Sequence, residues 1–238
     1  MYFISAPFGN YLKFKNTISV TGTWTVNPRP GLMKQLFKTL RYVNTEQGRS
    51  WRNKIGLRNP GLKAGMLKTN YDQVLSVAAI DIQDWGIIRK MISPDRCIEL
   101  NVSCPNLDTN KDTTAWPEFD KFPTHMRNKW CIVKVPPTST NKLIDKIVDM
   151  GYNQIHASNT LPTEQGGLSG KVLVPYTMKL IDYIKNKHQH VEVIAGGGVN
   201  CKQQAEDYLN AGADHISIGS ACFTPWKIKN IVRPVRLS

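Results

Sequence analysis

The stretch VEVIAGGGVNCKQQAEDYLNAGADHISIGS, residues 191–220, decides the fold class. Its first part, 191–197, is apolar and suits a β-strand, and 214–220 has the same character. Between them, 201–212 has the composition of a helix and ends at glycine. A strand, a helix and a second strand in this order predict a right-handed crossover between two parallel strands.

The same alternation of strand-like and helix-like runs extends from about residue 53 to residue 220, without a linker or a short repeat. With one further strand near 16–23, the series contains eight strands. Eight strands in one series favour a (β/α)8 barrel, the TIM barrel, over the alternative of an open doubly wound sheet. The predicted strands are 16–23, 53–57, 72–81, 97–103, 130–135, 153–158, 191–197 and 214–220, and the predicted helices are 82–92, 138–151, 174–187 and 201–212.

One domain of 238 residues accommodates this barrel. We expect a short N-terminal extension at 1–15 and a basic C-terminal tail at 227–238. No apolar run approaches the roughly 20 residues that a membrane helix needs, and the first residues lack the features of a secretory signal, so a cytoplasmic location is expected. The cysteines and histidines do not fall at metal-ligand spacing, which argues against a zinc site.

The charge is strongly positive, because 31 Lys+Arg face 18 Asp+Glu, for a net charge of +13. Such a balance can attract nucleic acid, anionic lipid or small anionic ligands. The basic residues are dispersed and do not cluster with aromatic residues, so a solvated basic surface is the plainer interpretation. Nucleic acid is therefore not expected as a partner.

The last two predicted strands end in glycine, at Gly196–Gly198 in AGGGV and at Gly219 followed by Ser220 in IGSA. The active site of a (β/α)8 barrel lies at the carboxyl ends of the strands. Glycine lets backbone N–H groups approach a phosphate, and the N-terminus of a following helix adds its dipole. Tight turns need glycine too, but two such loops after successive strands predict a phosphate site.

Lys134 lies inside the apolar run CIVKVPP and is expected to point into the barrel or its mouth. A buried lysine needs a partner, so it either forms a structural salt bridge or stabilises negative charge on a cofactor ring. Asparagines also stand at four predicted strand ends. One alone is more often a turn residue, but four at converging ends predict a site for a planar polar ligand. They are Asn53, Asn101, Asn106 and Asn159.

Cys104 follows a predicted strand in the polar loop NVSCPN, residues 101–106. A thiol in such a loop can act as a general base when its proton has somewhere to go. The alternative is a small buried cysteine without a chemical role. Its place on a polar loop after a barrel strand favours the functional interpretation.

At this point the sequence resembles the dihydroorotate dehydrogenase family of flavoenzymes. NVSCPN is close to the family's hallmark after barrel strand 4, and NKIGLRNPG is similar to its substrate loop. KVPP, SNT, GGLSG, AGGGV and IGSA occur in the family's order and spacing. The resemblance runs from APFGN to about Trp226, which is nearly the whole chain.

The resemblance implies a barrel that binds FMN and oxidises dihydroorotate to orotate in pyrimidine synthesis. Cys104 would take the proton from C5 of the substrate while a hydride leaves C6, and a cysteine at this place is typical of the soluble class. The implied substrate-binding residues are Asn53, Gly56, Leu57, Asn101, Asn106, Asn159 and Thr160. The implied FMN-binding residues are Thr21, Gly22, Asn101, Lys134, Gly170, Gly197, Gly198, Gly219 and Ser220, with Lys134 also acting in catalysis.

Two departures leave alternatives open. Gly22 stands where the family commonly has a lysine, and GLMKQLFKTLRY replaces the usual continuation of that loop. A flavin reductase of pyrimidines, including the transfer-RNA dihydrouridine synthases, is one alternative, and a flavin-binding barrel without turnover is another. We expect a lysine substituted at Gly22 to be accommodated in the fold. The sequence does not identify the electron acceptor, and a homodimer is compatible with it.

Overall fold

The computed structural model describes residues 1–81, 83–102 and 130–232. These residues form a closed eight-stranded barrel and a smaller four-stranded sheet. The strands are β1 (Tyr2–Ile4), β2 (Thr17–Trp24), β3 (Arg41–Thr45), β4 (Gly48–Asn53), β5 (Val74–Val77), β6 (Ile98–Asn101), β7 (Cys131–Val135), β8 (Gln154–Ala157), β9 (Leu161–Thr163), β10 (Gly166–Gly170), β11 (Glu192–Gly196) and β12 (His215–Ile218). The α-helices are α1 (Leu32–Thr39), α2 (Leu62–Lys68), α3 (Asp84–Met91), α4 (Asn141–Asp149), α5 (Val174–Lys187), α6 (Lys202–Asn210) and α7 (Ile228–Ile231).

The barrel follows the order β1-β12-β11-β8-β7-β6-β5-β2, and all of its neighbouring strands are parallel. The predicted (β/α)8 fold class is confirmed. Helices that the sequence predicted recur as α3, α4, α5 and α6. In α4, the Thr140 side chain caps the first turn by accepting from the N–H of Leu143 at 3.2 Å, while Ile144 and Ile147 face the core.

The number of barrel strands was predicted correctly, but one of the eight predicted strands, 53–57, was wrong, and the actual eighth strand was missed. Tyr2–Ile4, placed in an N-terminal extension, is β1 and pairs with both β12 and β2. Residues 53–57 are not a barrel strand, because Gly56 and Leu57 have φ values of 66° and 53°, which end an extended chain. Asn53 instead closes β4, which pairs antiparallel with β3 and β10.

The predicted basic tail at 227–238 is also not free at its start. Ile228 and Ile231 in α7 are fully buried in the main core cluster, beside Ala221 and Cys222. The remaining residues of the tail, 233–238, lie outside the described residues. The basic character of the tail drew attention away from these apolar residues. Their packing holds α7 against the barrel.

Apolar side chains fill two separate layers on the two faces of the barrel wall. The larger cluster joins outward residues such as Leu75 and Val133 to helical residues such as Ile88 and Ile181. The smaller cluster lies inside the barrel, since its strand residues alternate with those of the first. It contains Phe3, Val20, Val74, Trp130, Ile132 and Ile194. These six side chains form an apolar plug at the floor of the barrel.

Candidate functional site

A cavity of about 380 Å³ opens above this plug, at the carboxyl ends of the strands. Its volume lies in the range of small-molecule and cofactor sites, roughly 300–1,000 Å³. Among the residues that the sequence predicted, those lining it are Gly22, Asn53, Gly56, Leu57, Asn101, Lys134, Asn159, Thr160, Gly170, Gly197, Gly198, Gly219 and Ser220. One space thus collects predicted residues from both halves of the chain.

The inner wall of the barrel changes from apolar to polar within two residues along the strands, towards the carboxyl ends. Two residues beyond the last plug residue of each of five strands, the same face carries a polar side chain or a glycine. On five strands these inward residues are Ser5, Gly22, Ser76, Lys134 and Gly196. The neighbouring strands β6, β8 and β12 add Glu99, His156 and Ser217, which are almost completely buried. A polar row thus separates the plug from the cavity.

Lys134 lies in this polar row on β7, with 4% of its surface exposed. Its ammonium group donates to Ser5 Oγ at 3.3 Å, across the barrel from β7 to the end of β1. Its register partner on β8 is His156, which also lines the cavity. The sequence predicted a buried lysine that points into the barrel, and this placement agrees with it.

Glu99 is the acidic group of the polar row and is fully buried. Ser76 Oγ donates to its Oε1 at 2.7 Å, and His156 Nδ1 lies 2.7 Å from its Oε2. Burial by itself raises the pKa of Glu99, but the positive charge of Lys134 and the bonds from His156 and Ser76 outweigh burial and lower it to about 2. The carboxylate is therefore ionised at neutral pH and balances the charge of Lys134.

His156 is neutral in this arrangement. Burial lowers the pKa of its imidazole, and the nearby charge of Lys134 lowers it further, while Glu99 acts in the opposite direction. A neutral imidazole next to an ionised carboxylate carries its proton on the nitrogen that faces the carboxylate. Nδ1 is thus the donor to Glu99, and Nε2 is an acceptor.

A chain of amides and hydroxyls connects two strand ends above the row. Asn159 Nδ2 donates to Asn101 Oδ1 at 3.1 Å, and Asn101 Nδ2 donates to Thr23 Oγ1 at 3.1 Å. Thr23 Oγ1 lies 3.0 Å from Ser76 Oγ, which bonds Glu99. The amide planes at the cavity are therefore oriented by a network that reaches the buried carboxylate.

The loop that contains Asn53, Gly56 and Leu57 forms one side of the cavity. Asn53 Oδ1 accepts from the N–H of Ile55 at 3.3 Å, and Arg29 Nε donates to the carbonyl of Gly56 at 3.2 Å. Arg58 follows directly and also lines the cavity. Side-chain hydrogen bonds thus hold the loop in place, and the loop brings the guanidinium group of Arg58 to the cavity wall.

The glycine loops form another part of the cavity wall, and the first of them packs against the start of α5. A Cβ at Gly197 would lie 2.6 Å from Leu173 Cβ, and a Cβ at Gly198 would lie 2.6 Å from Val174 Cγ2. Both glycines also have positive φ, 89° and 77°. Gly170 precedes this contact and has φ 118°. Bare backbone therefore faces the cavity where the sequence predicted a phosphate.

The family model for dihydroorotate dehydrogenase matches residues 8–236 of the chain. The chain belongs to the dihydroorotate dehydrogenase family. The catalytic subunit of dihydroorotate dehydrogenase B (NAD(+)) from Thermotoga maritima is 28% identical over 246 residues, covering 92% of this chain and 88% of that protein. Dihydroorotate dehydrogenase A (fumarate) from Lactiplantibacillus plantarum is 26% identical over 230 residues, covering 83% and 71%.

The fold likeness extends to solved structures. Ligand-free DHODH from Eimeria tenella matches with a TM-score of 0.65 at 18% identity, over 90% of this chain and 75% of that chain. This likeness supports the fold, and the family model carries the assignment to the dihydroorotate dehydrogenase family. In the described ranges, no helix is both long and apolar enough to cross a membrane, and no group of His, Cys, Asp and Glu could hold a metal ion.

Thr21 is the predicted family residue that does not face this cavity. Its Oγ1 lies 2.7 Å from Thr69 Oγ1, and Trp24 Nε1 donates to it at 3.4 Å. Thr21 precedes the inward Gly22, so its side chain lies on the outer face of the barrel, towards the end of α2. Cys104 and Asn106 lie outside the described residues; in the sequence they follow Asn101 by three and five positions.

Gly22 lines the cavity where the family commonly has a lysine. Its N–H donates to Asn10 Oδ1 at 3.0 Å, and its φ is 99°. A Cβ there would lie 2.5 Å from the carbonyl oxygen of Ser76 and 2.8 Å from Trp24 Cδ1. The expectation that a lysine is accommodated at this position is therefore wrong, since the backbone and the neighbouring strand leave no space for one.

Several residues of the cavity wall and of the polar row below it escaped prediction from the sequence. An acid inside the apolar run IEL, and a histidine inside QIHA, were signals of the same kind as Lys134. Ser5 and Ser217 gave no signal, because a serine in a short strand is compatible with any environment. Arg58 lies within the motif NKIGLRNPG, from which only Asn53, Gly56 and Leu57 were selected. The missed residues are Ser5, Arg58, Glu99, His156 and Ser217.

The cavity suits FMN, the cofactor that family membership implies. The glycine loops leave bare backbone where a phosphate could bind. Lys134 lies two strands away from Gly196, next to His156, and lines the same cavity. Ser217 Oγ is buried and has no hydrogen-bond partner within the part of the chain that the structure describes. An unsatisfied hydroxyl at this depth is what a polar cofactor would complete.

Proposed function

We propose that this protein is an FMN-dependent oxidoreductase that oxidises dihydroorotate to orotate in pyrimidine biosynthesis. The observation that carries the proposal is the single cavity that joins the Asn101–Asn159 pair, Lys134 and the glycine loops. Membership of the dihydroorotate dehydrogenase family supports the same reaction. FMN, when bound, supplies the acceptor for the hydride that leaves C6 of the substrate.

Different residues of the chain would bind the phosphate and the ring of FMN. Gly170, Gly197, Gly198, Gly219 and Ser220 would hold the phosphate through backbone N–H groups and one hydroxyl. Lys134 would contact the ring and stabilise negative charge there, because its ammonium is buried and already oriented by Ser5. A lysine in this state costs no reorganisation during the reaction.

The substrate would lie between the two loops that carry amides. Asn53, Asn101 and Asn159 offer donors and acceptors to a pyrimidine ring, and Thr160 lies beside them. The N–H of Thr160 donates to Asn159 Oδ1 at 2.9 Å, so this amide is held from both ends. A ring bound in this way loses little freedom on reaching the transition state.

The carboxylate of dihydroorotate requires a cation, and Arg58 is placed to provide it. The cavity is lined by Lys134 and Arg58, and no acidic residue is among the described residues that line it. Glu99 balances Lys134, whereas Arg58 donates to the carbonyl of Pro30 at 3.3 Å and forms no ion pair with a described acid. The guanidinium therefore attracts an anionic substrate to the loop side of the cavity.

Cys104 is proposed as the base that removes the C5 proton. Its support is the sequence NVSCPN, which begins at Asn101, the last residue of β6 on the cavity wall. Asn106, in the same motif, is proposed as a further amide for the substrate. A positioned base typically contributes about 10² to 10⁴ in rate. Cys104→Ala should therefore bind FMN normally and lose activity by such a factor.

Anaerobic titration of the purified, FMN-loaded protein with dihydroorotate tests the proposal. We expect the visible absorption of the flavin to bleach, with one orotate formed per flavin. Cys104→Ala serves as a variant that keeps the cofactor and bleaches slowly. Bound FMN that dihydroorotate does not bleach would indicate a flavin-binding barrel without turnover. Absence of FMN after reconstitution would contradict the assignment of the glycine loops.

A further inference from the structure

The cavity floor contains two polar side chains that the proposed chemistry does not use. Ser217 on β12 is 1% exposed, and its Oγ has no hydrogen-bond partner within the described ranges. His156 on β8 is 2% exposed and bonds Glu99 through Nδ1. Both residues line the cavity. Buried polar groups without partners are rare in folded proteins, so the Ser217 hydroxyl calls for a ligand.

Gly196 shows that the two side chains belong to one small area. A Cβ added to Gly196 would lie 2.9 Å from His156 Nε2 and 3.4 Å from Ser217 Cβ. The φ of Gly196 is not in the left-handed region, so its backbone does not demand glycine. The missing side chain therefore matters for space. It leaves space next to His156 Nε2 and Ser217 Cβ.

The chemistry of the pair is defined by Glu99. The ionised carboxylate of Glu99 accepts a hydrogen bond from the Nδ1–H of His156. The other ring nitrogen, Nε2, therefore carries no proton and is an acceptor. Ser217 Oγ can donate one hydrogen bond and accept others. An acceptor next to a hydroxyl suits a ligand that carries hydroxyl groups, because each hydroxyl both donates and accepts.

The pair also lies between the two ends of the proposed cofactor site. Barrel order places β7 with Lys134 first, then β8 with His156, β11 with Gly196 and β12 with Ser217. The glycine loops begin directly after β11 and β12. A molecule with a phosphate in those loops and a ring at Lys134 would pass over His156 and Gly196, with Ser217 on the strand next to Gly196. In FMN the connecting segment is a chain with three hydroxyls.

We propose that His156 Nε2 and Ser217 Oγ bind the hydroxyl groups of the sugar-alcohol chain of FMN, with Gly196 providing the space. The inference rests on the proposed FMN site and extends it to residues that no family motif indicated. His156 accepts from one hydroxyl, and Ser217 bonds a neighbouring one. Glu99 acts as a positioning residue, because it selects the histidine tautomer that can accept.

The test compares FMN with lumiflavin, which has the same ring system without the sugar-alcohol chain and phosphate. Dissociation constants are measured by fluorescence titration of the flavin-free protein. Two variants remove one partner each. Ser217→Ala deletes the hydroxyl, and His156→Asn keeps a side-chain donor for Glu99 while removing the acceptor at the Nε2 position. Ser19→Ala is the matched control, since Ser19 is buried on β2 and does not line the cavity.

We expect each variant to weaken FMN binding by about 3- to 10-fold, the usual effect of one hydrogen bond. Lumiflavin affinity should stay unchanged, and Ser19→Ala should affect neither flavin. Thermal unfolding of the flavin-free Ser217→Ala variant should not be lowered, because the deleted hydroxyl has no described partner in the protein. A purely structural role would lower stability and the affinity for both flavins together.

The outcomes also separate this inference from the proposed function. Unchanged FMN affinity in both variants, or equal losses for FMN and lumiflavin, would overturn the role of the pair and leave the FMN site in place. A parent protein that binds no FMN would overturn both proposals. Selective weakening of FMN supports the pair even if dihydroorotate proves not to be the substrate.

Discussion

Asn159 donates from Nδ2 to Oδ1 of Asn101 at 3.1 Å, so the residue just beyond β8 and the last residue of β6 share one hydrogen bond at the cavity wall. The backbone N–H of Thr160 bonds the other end of the Asn159 amide. The orientation of this amide is therefore set by the protein before any ligand arrives. Such preorganisation makes the pair sensitive to a change of one atom.

Asn159→Asp should reduce kcat/KM for dihydroorotate by at least about tenfold. The substitution replaces the Nδ2 donor by a carboxylate oxygen that faces the side-chain oxygen Oδ1 of Asn101. It also adds a negative charge beside an anionic substrate. Steady-state kinetics measure the effect. Asn153→Asp is the control, since Asn153 is exposed at the start of β8. Equal activity of both variants would remove Asn159 from the substrate site.

Gly22→Ala should destabilise the protein by about 1–3 kcal/mol more than Gly31→Ala, the usual cost of overpacking. Both glycines have similar φ values, 99° and 93°. A Cβ at Gly22 would lie 2.5 Å from the Ser76 carbonyl oxygen, whereas nothing lies within 4 Å of a Cβ at Gly31. Urea unfolding of the two variants isolates the steric contribution. Equal losses of stability would show that φ alone matters at Gly22.

Arg58→Gln should raise the dissociation constant of orotate by about 10-fold or more, because a cation without a described counter-ion is lost from the cavity wall. Binding is followed by perturbation of the flavin spectrum at several salt concentrations. Arg89→Gln removes the same charge from an exposed site on α3 and should leave the constant nearly unchanged. If the two variants behave alike, only the overall charge of the protein attracts the ligand.

Glu99→Gln should lower the free energy of unfolding by about 3 kcal/mol at neutral pH, since it leaves the charge of Lys134 uncompensated inside the barrel. Glu206→Gln is the control for a partly exposed carboxylate, paired at 3.3 Å with Lys202 on α6. It should cost only about 0.5 kcal/mol. Denaturant unfolding measures both.

The pH dependence of this difference follows from the lowered pKa of Glu99. The ordinary value is 4.5 and the folded value is about 2, so the unfolded chain takes up the proton first as the pH falls. The stabilisation from Glu99 is complete above about pH 4.5 and is lost progressively as the pH falls towards about 2. The gap between the parent and Glu99→Gln should therefore narrow over that interval. A gap that is constant with pH would show that Glu99 is not ionised in the folded protein.

The strand ends were the part of the site that the sequence could predict. Asn101, Lys134, Asn159 and the glycine loops stand where an apolar run stops or is interrupted, which is visible without knowing the partner strands. Their convergence then follows from barrel topology, because all carboxyl ends meet at one rim. Thr21 and Gly22 show the limit of this reasoning. Adjacent residues face opposite sides of a strand, so only one of them can line the cavity.

The contacts within the polar row were beyond sequence reasoning for a different reason. Glu99 and His156 interrupt apolar strands as Lys134 does, but their 2.7 Å contact depends on the strand order across β6, β7 and β8. Gly196 is understandable only once His156 occupies the space beside it. β1 was missed because three residues are too few to show a period. Contacts between side chains on different strands can be deduced only when the strand pairing is known.

The pairing of β1 with β12 has a consequence for how the chain reaches its native state. Tyr2 is aligned with Ile216, so the barrel closes through a contact between residues near opposite ends of the chain. Contacts of such long sequence separation form slowly, because a large loop must close first. During synthesis β1 therefore waits for its partner until β12 has left the ribosome. A chain that stops before His215 would keep two open sheet edges, at β1 and β11, and would be prone to aggregate.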